Sequence, residues 1–234
     1  MESQNNKDYV SVVYDENERP ITSYPFKLAN YIFDKYALKE GSKILDIGCG
    51  RGDFLRGFID CGLKGYATDQ SDFVLKYLPS VQFKKTNLEK EGIPYPDNFF
   101  DIVYSKSVIE HFYNPEILVK EMYRVLKPGG IAITLCPSWE YNYKIYFEDY
   151  THRSPFMKAS LRDIQLINGF KNVKVEFFRQ LPILWKRNYL NIFAEITRVL
   201  LPDSFYSTNS VNTLNKWIRF SKEIMLLSSS KKPK

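Results

Sequence analysis

The sequence predicts an α/β fold built on a mostly parallel sheet of seven strands, with helices on both faces. Short apolar segments bounded by turn residues alternate with stretches of helical periodicity, which is typical of βαβ units. A glycine-rich loop, GCGRG, follows the first apolar segment and opens a helix. A chain of 234 residues is long enough for one such domain with an elaboration.

Local signals place each element in turn. The helix that starts at Asn114 has an asparagine cap, a proline in its first turn and Glu116 near the positive end of the helix dipole. It ends where Lys127 begins a KPGG turn. The predicted strands occupy residues 43–47, 65–69, 81–86, 99–105, 131–136, 173–178 and 223–229. The predicted helices occupy residues 25–37, 52–62, 71–78, 114–126 and 157–168, and residues 181–220 form a helical insert before the last strand.

Charge and cysteine content restrict the class of protein. Residues 180–234 contain nine basic and three acidic side chains, which accounts for the whole net charge of +6. Such an excess is typical either of a solvated tail or of a surface that attracts anionic membranes or phosphate groups. Three cysteines without paired or metal-type spacing fit a reducing compartment, and we expect no metal site. The polar N-terminus and the lack of an 18-residue apolar run lead us to expect a cytoplasmic protein, peripheral at most to the inner face of the membrane.

The loop after the first strand reads Asp46-Ile47-Gly48-Cys49-Gly50-Arg51-Gly52 and carries the strongest functional signal. Glycine permits positive φ and lets a ligand approach the backbone, and the amides that open the next helix attract anionic groups. Asp69 ends the second strand, where an acid can bind the ribose hydroxyls of an adenosine. A dinucleotide site shares these features, but its glycine spacing is G-x-G-x-x-G rather than G-x-G-x-G. Asp46 at the loop mouth would also repel a pyrophosphate, whereas it suits an ammonium group.

These motifs resemble those of the class I (Rossmann-like) methyltransferases that use S-adenosylmethionine (AdoMet), in particular the small-molecule group with the sugar and quinone methyltransferases. The resemblance covers residues 40–178 densely, and the combination of motifs is specific. Its motifs are ILDIGCGRGDFL (44–55), YATDQSD (66–72), TNLEKEGIPYPDNFFDIVYSKSVIEH (86–111) and ILVKEMYRVLKPGGIAITLCPS (117–138). The resemblance implies AdoMet as the cofactor and methyl transfer as the reaction.

By position, the resemblance assigns nine residues to the cofactor. Those lining the methionine part are Asp46, Gly48, Cys49 and Gly50. Those at the ribose and the adenine are Asp69, Gln70, Asn87 and Leu88. Ser105, at the end of the fourth strand, would lie near the sulfonium. The adenine position usually holds an aspartate and here is Asn87, whose amide oxygen can still accept a bond from the adenine amino group.

The resemblance also divides the chain into four parts. Residues 1–40 form an N-terminal helical cap, and residues 41–180 form the AdoMet-binding Rossmann-like core. Residues 181–221 form a helical insert or substrate lid, and residues 222–234 form the final strand and a basic tail. The insert mixes bulky apolar with basic residues, so its helices pack on the domain or a partner subunit, or lie on a membrane surface.

The chain has two histidines, and both follow strands at the edge where ligands bind in open α/β sheets. If the methyl acceptor is a hydroxyl, a general base assists, and histidine suits this role near neutral pH. His152 lies in a stretch that resembles the His-Arg segment of sugar and quinone O-methyltransferases, so we predict that it is the base. The alternative is a histidine that only bonds a nearby backbone carbonyl. His111 lies in an IEH stretch common among relatives. It is the second catalytic candidate, with a structural or cofactor-side role as its alternative.

The residues around His152 predict where the acceptor binds. The predicted acceptor-binding residues are Trp139, Tyr143, Asp149 and Tyr150. Aromatic side chains at a site mouth stack on a sugar ring or a flat apolar group, but they can equally form a small satellite core.

O-methylation of a sugar or glycan in surface polysaccharide biosynthesis is the function that we predict first. The alternatives are methylation of an isoprenoid quinone or other aromatic, and a non-catalytic AdoMet-binding protein. Nucleic acid is disfavoured as a partner, because the chain has no appended RNA-binding motif and no Asn/Asp-Pro-Pro-aromatic motif. No oligomeric state is predicted.

Overall fold

The computed structural model describes residues 20–205 and 213–234. Residues 1–19 of the predicted N-terminal cap and residues 206–212 of the predicted insert therefore lie outside the described residues. The chain separates into two compact units, residues 1–94 and residues 95–234. Among the helices of the described ranges, none combines the length and apolar composition that a membrane span needs.

Within residues 20–94, the part of the first unit that the structure describes, three parallel strands lie in the order β3-β2-β1. They are β1 (Lys43–Ile47), β2 (Lys64–Asp69) and β3 (Gln82–Lys85). Its helices are α1 (Tyr24–Lys35), α2 (Asp53–Asp60) and α3 (Leu88–Glu91). The helix predicted at 71–78 is wrong, because this stretch forms only a 3-10 turn, Phe73–Lys76. Pro79 disfavours helical backbone at the residue before it, and the few residues left are too short to nucleate an α-helix.

The described residues of the second unit, 95–205 and 213–234, contain four strands in the order β4-β5-β7-β6. Strands β4 and β5 are parallel, and β7 is antiparallel to both of its neighbours. The four strands are β4 (Phe100–Lys106), β5 (Leu126–Pro137), β6 (Lys171–Arg179) and β7 (Ile224–Lys231). Its helices are α4 (Pro115–Val125), α5 (Trp139–Asn142), α6 (Lys158–Ile167), α7 (Pro182–Lys186), α8 (Asn191–Leu200) and α9 (Thr213–Lys222). The seven-stranded, mostly parallel α/β class predicted from the sequence is confirmed.

Strand β5 begins five residues earlier than predicted, because the KPGG segment is part of it. Gly129 has a φ of +83°, and its N–H donates to the carbonyl of Lys232 at 2.8 Å. The Lys232 N–H donates back to the carbonyl of Gly130 at 3.1 Å. The glycines therefore make an irregular strand that pairs with the chain after β7, instead of a separate turn.

Helices α1 and α2 approach each other closely at Gly57. A Cβ atom at this position would lie 2.8 Å from the Ala29 Cβ and 3.1 Å from the Phe26 Cα. Because a backbone atom cannot rotate away, a larger residue would force the two helices apart.

We expect Gly57→Ala to lower the free energy of unfolding by about 1–3 kcal/mol through this overpacking. Alanine is the better helix former by about 1 kcal/mol, so propensity alone predicts the opposite sign. Urea unfolding followed by circular dichroism measures the change. Arg56→Ala, at an exposed position of the same helix, is the control and should alter stability by less than about 0.5 kcal/mol. Unchanged or increased stability of Gly57→Ala would contradict the close approach.

Candidate active site

The glycine loop of the first unit has three left-handed residues within five positions. Gly48, Gly50 and Gly52 have φ values of +66°, +54° and +83°. The Gly48 N–H donates to the carbonyl of Thr68 at 2.8 Å, which ties the loop to the end of β2. Residues with a Cβ rarely adopt such φ values, so the G-x-G-x-G spacing follows from the path of the backbone.

Asp69 holds this loop through its carboxylate. Its side chain is buried, one oxygen accepts the N–H of Gly50 at 2.9 Å, and the other accepts the N–H of Ser71 at 3.0 Å. A carboxylate offers about four lone-pair directions, so it can accept further hydrogen bonds besides those from these two amides. Asp69 can therefore fix the loop and also accept the hydroxyls of a ribose.

Asp46 and Cys49 form the other side of the loop. Both side chains are buried, and Asp46 lies at the end of β1. Burial, and then the carboxylates of Asp46 and Asp69, raise the pKa of the Cys49 thiol, which stays protonated. Two buried carboxylates favour a ligand with a cationic group and hydroxyls over one with a pyrophosphate. The two carboxylates beside the glycine loop therefore fit AdoMet.

Arg51 is a residue of the loop that sequence reasoning missed. Its buried guanidinium binds the Asp53 carboxylate at 2.7 Å and lies 5.8 Å from the centre of the Tyr77 ring. Since Asp53 opens α2, this ion pair fastens the glycine loop to the helix that follows it.

The residues predicted at the adenine lie at the ends of β2 and β3. Gln70 is exposed directly after Asp69, and Leu88 is buried. Asn87 caps α3, because its side-chain oxygen accepts the N–H of Lys90 at 3.3 Å. An adenine amino group would share that oxygen with the helix cap. The adenine contacts of these residues stay predictions.

The remaining predicted site residues lie in the second unit, where backbone bonds bring the two histidines together. The N–H groups of Arg153 and Ser154 donate to the carbonyl of Glu110 at 2.8 and 3.0 Å. These bonds hold the segment after α5 against the 3-10 turn Ile109–His111. The rings of His111 and His152 consequently lie 4.9 Å apart, centroid to centroid.

Hydrogen bonds define the tautomers of both rings. His152 Nδ1 lies 2.6 Å from the Tyr146 carbonyl oxygen, which can only accept, so Nδ1 carries the proton. The Thr151 hydroxyl donates to Asp149 at 2.5 Å, so it accepts from His111 Nδ1 at 2.8 Å. Each neutral imidazole therefore has its basic lone pair on Nε2. Burial, and then His152, lower the pKa of His111 and favour its neutral form.

Glu110 was not singled out from the sequence, although it stands beside His111 in the IEH stretch. Its side chain is fully buried, and neither carboxylate oxygen has a hydrogen-bond partner among the described residues. Burial raises the pKa of this carboxyl to about 8. The cluster of the two histidines thus includes a buried carboxyl group that makes no hydrogen bond to the described residues.

The aromatic residues form a cluster that is partly core and partly surface. Tyr146 is buried, stacks edge-on against Trp139 at 5.2 Å and contacts the His152 ring at 4.6 Å. Tyr143 and Tyr150 are exposed. A satellite core centred on Tyr146 therefore supports exposed rings that could meet an acceptor. The predicted acceptor contacts of Trp139, Tyr143, Asp149 and Tyr150 stay predictions.

Different groups orient the two histidines. The Tyr146 carbonyl positions His152, whereas Asp149 acts on His111 through Thr151. Ser105, predicted near the sulfonium, is fully buried at the end of β4, and its hydroxyl has no hydrogen-bond partner among the described residues.

Comparison with known proteins identifies the family of the central segment. Residues 45–134 match the family model described as "Methyltransferase domain". The ubiquinone/menaquinone biosynthesis C-methyltransferase UbiE of Neisseria meningitidis is 36% identical over 107 residues, which cover 42% of this chain and 44% of that protein. The chain therefore aligns with less than half the length of this curated relative.

Solved structures match over nearly the whole chain. The methyltransferase complex with the Haloferax volcanii Trm112 activator superimposes with a TM-score of 0.71 at 17% identity, and the match covers 97% of this chain and 99% of the solved one. A SAM-dependent methyltransferase from Archaeoglobus fulgidus gives a TM-score of 0.66 at 22% identity, covering 96% and 100%. At these identities the likeness establishes the fold.

We expect Asp69→Asn to weaken AdoMet binding at least about tenfold, because the amide group places a second donor where two backbone N–H groups need acceptors. The same loss should lower the free energy of unfolding by about 1–3 kcal/mol. Thermal unfolding measures both changes. The melting temperature without ligand reports the stability, and its rise with increasing AdoMet reports the affinity. Asp72→Asn removes an equal charge from an exposed position three residues away and should bind AdoMet like the unaltered protein. Equal AdoMet affinity in both variants would contradict the role of Asp69.

Proposed function

We infer that this chain, which carries a class I AdoMet-dependent methyltransferase domain at residues 45–134, transfers the methyl group of AdoMet to a small molecule. The observation that supports this most is the pair of buried carboxylates, Asp46 and Asp69, at the ends of the adjacent strands β1 and β2. The ammonium group of AdoMet can pair with a carboxylate at the loop mouth, and its ribose hydroxyls can donate to a second carboxylate at the end of the next strand.

The residues of the first unit would bind and orient the cofactor. When bound, AdoMet supplies an electrophilic methyl group on a sulfonium. Asp46 would pair with the ammonium group, Asp69 would accept the ribose hydroxyls, and Gly48 and Gly50 would let the methionine part lie against the backbone. The other proposed cofactor contacts are Cys49, Gln70, Asn87, Leu88 and Ser105.

We propose a hydroxyl group of a sugar or glycan, as in surface polysaccharide biosynthesis, as the methyl acceptor. His152 would take the hydroxyl proton on Nε2, because the bond from Nδ1 to Tyr146 leaves the basic lone pair there. The oxygen would then form its bond to the methyl carbon as the carbon–sulfur bond breaks and leaves its electron pair on sulfur. The exposed rings of Tyr143 and Tyr150 offer faces on which a sugar ring can stack.

Methylation of an isoprenoid quinone or other aromatic is the second candidate, supported by the similarity to the quinone-pathway enzyme UbiE. Assays with sugar and with quinone acceptors separate the two. A non-catalytic AdoMet-binding protein would bind AdoMet and methylate neither.

We expect His152→Asn to lower kcat for a hydroxyl acceptor by about 10²–10⁴-fold, because the base is lost. AdoMet affinity should stay unchanged, since asparagine keeps an N–H group that can reach the Tyr146 carbonyl. Transfer of a radiolabelled methyl group measures both quantities. Glu140→Gln, on the exposed side of the same segment, is the control and should retain full activity. Full activity of His152→Asn would remove the assignment of the base.

We also propose that the insert holds the protein at an anionic membrane surface, where a lipid-linked glycan would be available. Helix α8 has an outer apolar face, on which Ile192, Ile196, Val199 and Leu200 are 47–71% exposed. Its other side packs through Ala194 into the insert. An exposed apolar face on a firmly packed helix, in a basic segment, is typical of interfacial binding.

Flotation with anionic liposomes at low salt should recover the protein with the lipid. Replacing Ile196 and Val199 by serine should lower the partition coefficient at least about tenfold, because each apolar side chain contributes about 1.5–3 kcal/mol when buried. Ile167→Ser, at an even more exposed apolar position on α6, is the control and should float like the unaltered protein. No recovery with liposomes would remove the membrane proposal.

A further inference from the structure

We propose that Glu110, His111 and His152 bind a divalent transition-metal ion such as Zn²⁺ or Mn²⁺. One ligand atom from each of the three side chains lies within 4.8 Å of the other two. Two imidazoles and one carboxylate form a donor set that suits such ions and leaves coordination positions open. The inference goes beyond the proposed function. With the ion bound, His152 is a ligand and no longer the base that takes the proton of the acceptor hydroxyl.

The first support is the orientation of the histidines. The Nδ1–H of His152 donates to the Tyr146 carbonyl, and the Nδ1–H of His111 donates to Thr151, which in turn donates to Asp149. Metal-binding imidazoles are held in this way, with one nitrogen bonded to a carbonyl or carboxylate system and the other directed to the ion. Both rings would coordinate through Nε2.

The second support is Glu110. A fully buried carboxyl with no hydrogen-bond partner for either oxygen among the described residues is costly when charged. A divalent ion is the partner that would compensate for that burial. Ligands at about 2.0–2.2 Å from an ion lie roughly 3–3.5 Å from one another, so the side chains would close by about 1–2 Å on binding.

The exposure of the three ligands indicates where an acceptor could coordinate. Glu110 is buried, whereas His111 and His152 are partly exposed, so the open positions of the ion lie on the histidine side. A bound cation lowers the pKa of a coordinated hydroxyl, and the released proton can pass to water. A bound cation therefore favours an acceptor with a hydroxyl, or with two adjacent hydroxyls. This statement about the acceptor rests on the proposed methyltransferase function.

The sequence did not predict this site, because the expectation of no metal rested on the spacing of the cysteines. Glu110 and His111 are neighbours in the chain, but His152 reaches them only through the bonds from Arg153 and Ser154 to the Glu110 carbonyl. A contact between residues that are about 40 positions apart cannot be predicted from the spacing of residue types in the sequence.

The test uses the full chain without a histidine tag, stripped with a chelator and titrated with Co²⁺. We expect one equivalent to bind, with the visible absorption of a nitrogen- and oxygen-ligated Co²⁺ ion, and Zn²⁺ to displace it. Because the chain has only two histidines, a histidine-ligated spectrum must arise from His111 and His152.

Two variants separate ligation from damage to the fold. Glu110→Gln should abolish the Co²⁺ spectrum or weaken binding at least about a hundredfold, and Thr151→Val should weaken binding about 10–100-fold through loss of the bond to His111. Glu140→Gln is the matched control and should bind Co²⁺ like the unaltered protein. The absence of a Co²⁺ spectrum, or equal binding by Glu110→Gln in a folded state verified by circular dichroism, would overturn the inference.

Activity assays keep the two proposals separate. Methyl transfer that the chelator abolishes and Zn²⁺ or Mn²⁺ restores would support the metal site. Methyl transfer unaffected by chelation, together with no Co²⁺ binding, would overturn the metal site and leave the methyltransferase proposal intact. Co²⁺ binding without AdoMet binding would contradict the proposed function and support the metal site.

Discussion

The arrangement of the first unit depends on the carboxylate of Asp69. This buried group accepts the amides of Gly50 and Ser71, so the end of β2 and the left-handed glycine loop after β1 form one fixed structure. Charge-assisted bonds to backbone amides are stronger than neutral ones and are aimed by the positions of the strands. The loop can therefore take φ values that cost energy elsewhere in a chain. It stays shaped for a ligand before any ligand arrives.

In the second unit, one acceptor also binds two backbone amides, but here the acceptor is a backbone carbonyl. The Glu110 carbonyl accepts the amides of Arg153 and Ser154, and this sets His152 beside His111. The backbone carbonyl of Tyr146 and the side chains of Thr151 and Asp149 orient this pair through hydrogen bonds. In each unit, the groups that carry the proposed chemistry are placed by bonds to a neighbouring strand end or turn, so loops carry function while the sheet supplies rigidity.

The sequence was most informative where local chemistry decides the structure. The Asn114 cap, the glycine spacing and the alternation of strands and helices predicted the fold. The methyltransferase family model that matches residues 45–134 agrees with the family and the cofactor that the sequence indicated. Predictions failed mainly where distant contacts decide. The KPGG segment forms part of β5 because Lys232 pairs with it. The helix predicted at 71–78 failed for a local reason, because Pro79 restricts the residue before it and leaves too few residues for an α-helix. Glu110 and Thr151 gained their importance only from neighbours about 40 residues away in the chain.

The most direct test of the central claim compares AdoMet with NAD⁺ in calorimetric titrations of the unaltered chain. If Asp46 and Asp69 select a ligand with an ammonium group and ribose hydroxyls, AdoMet binds at one site per chain and NAD⁺ gives no heat of binding at the same concentrations. Binding of NAD⁺ with an affinity equal to that of AdoMet, or no binding of AdoMet, would contradict the account.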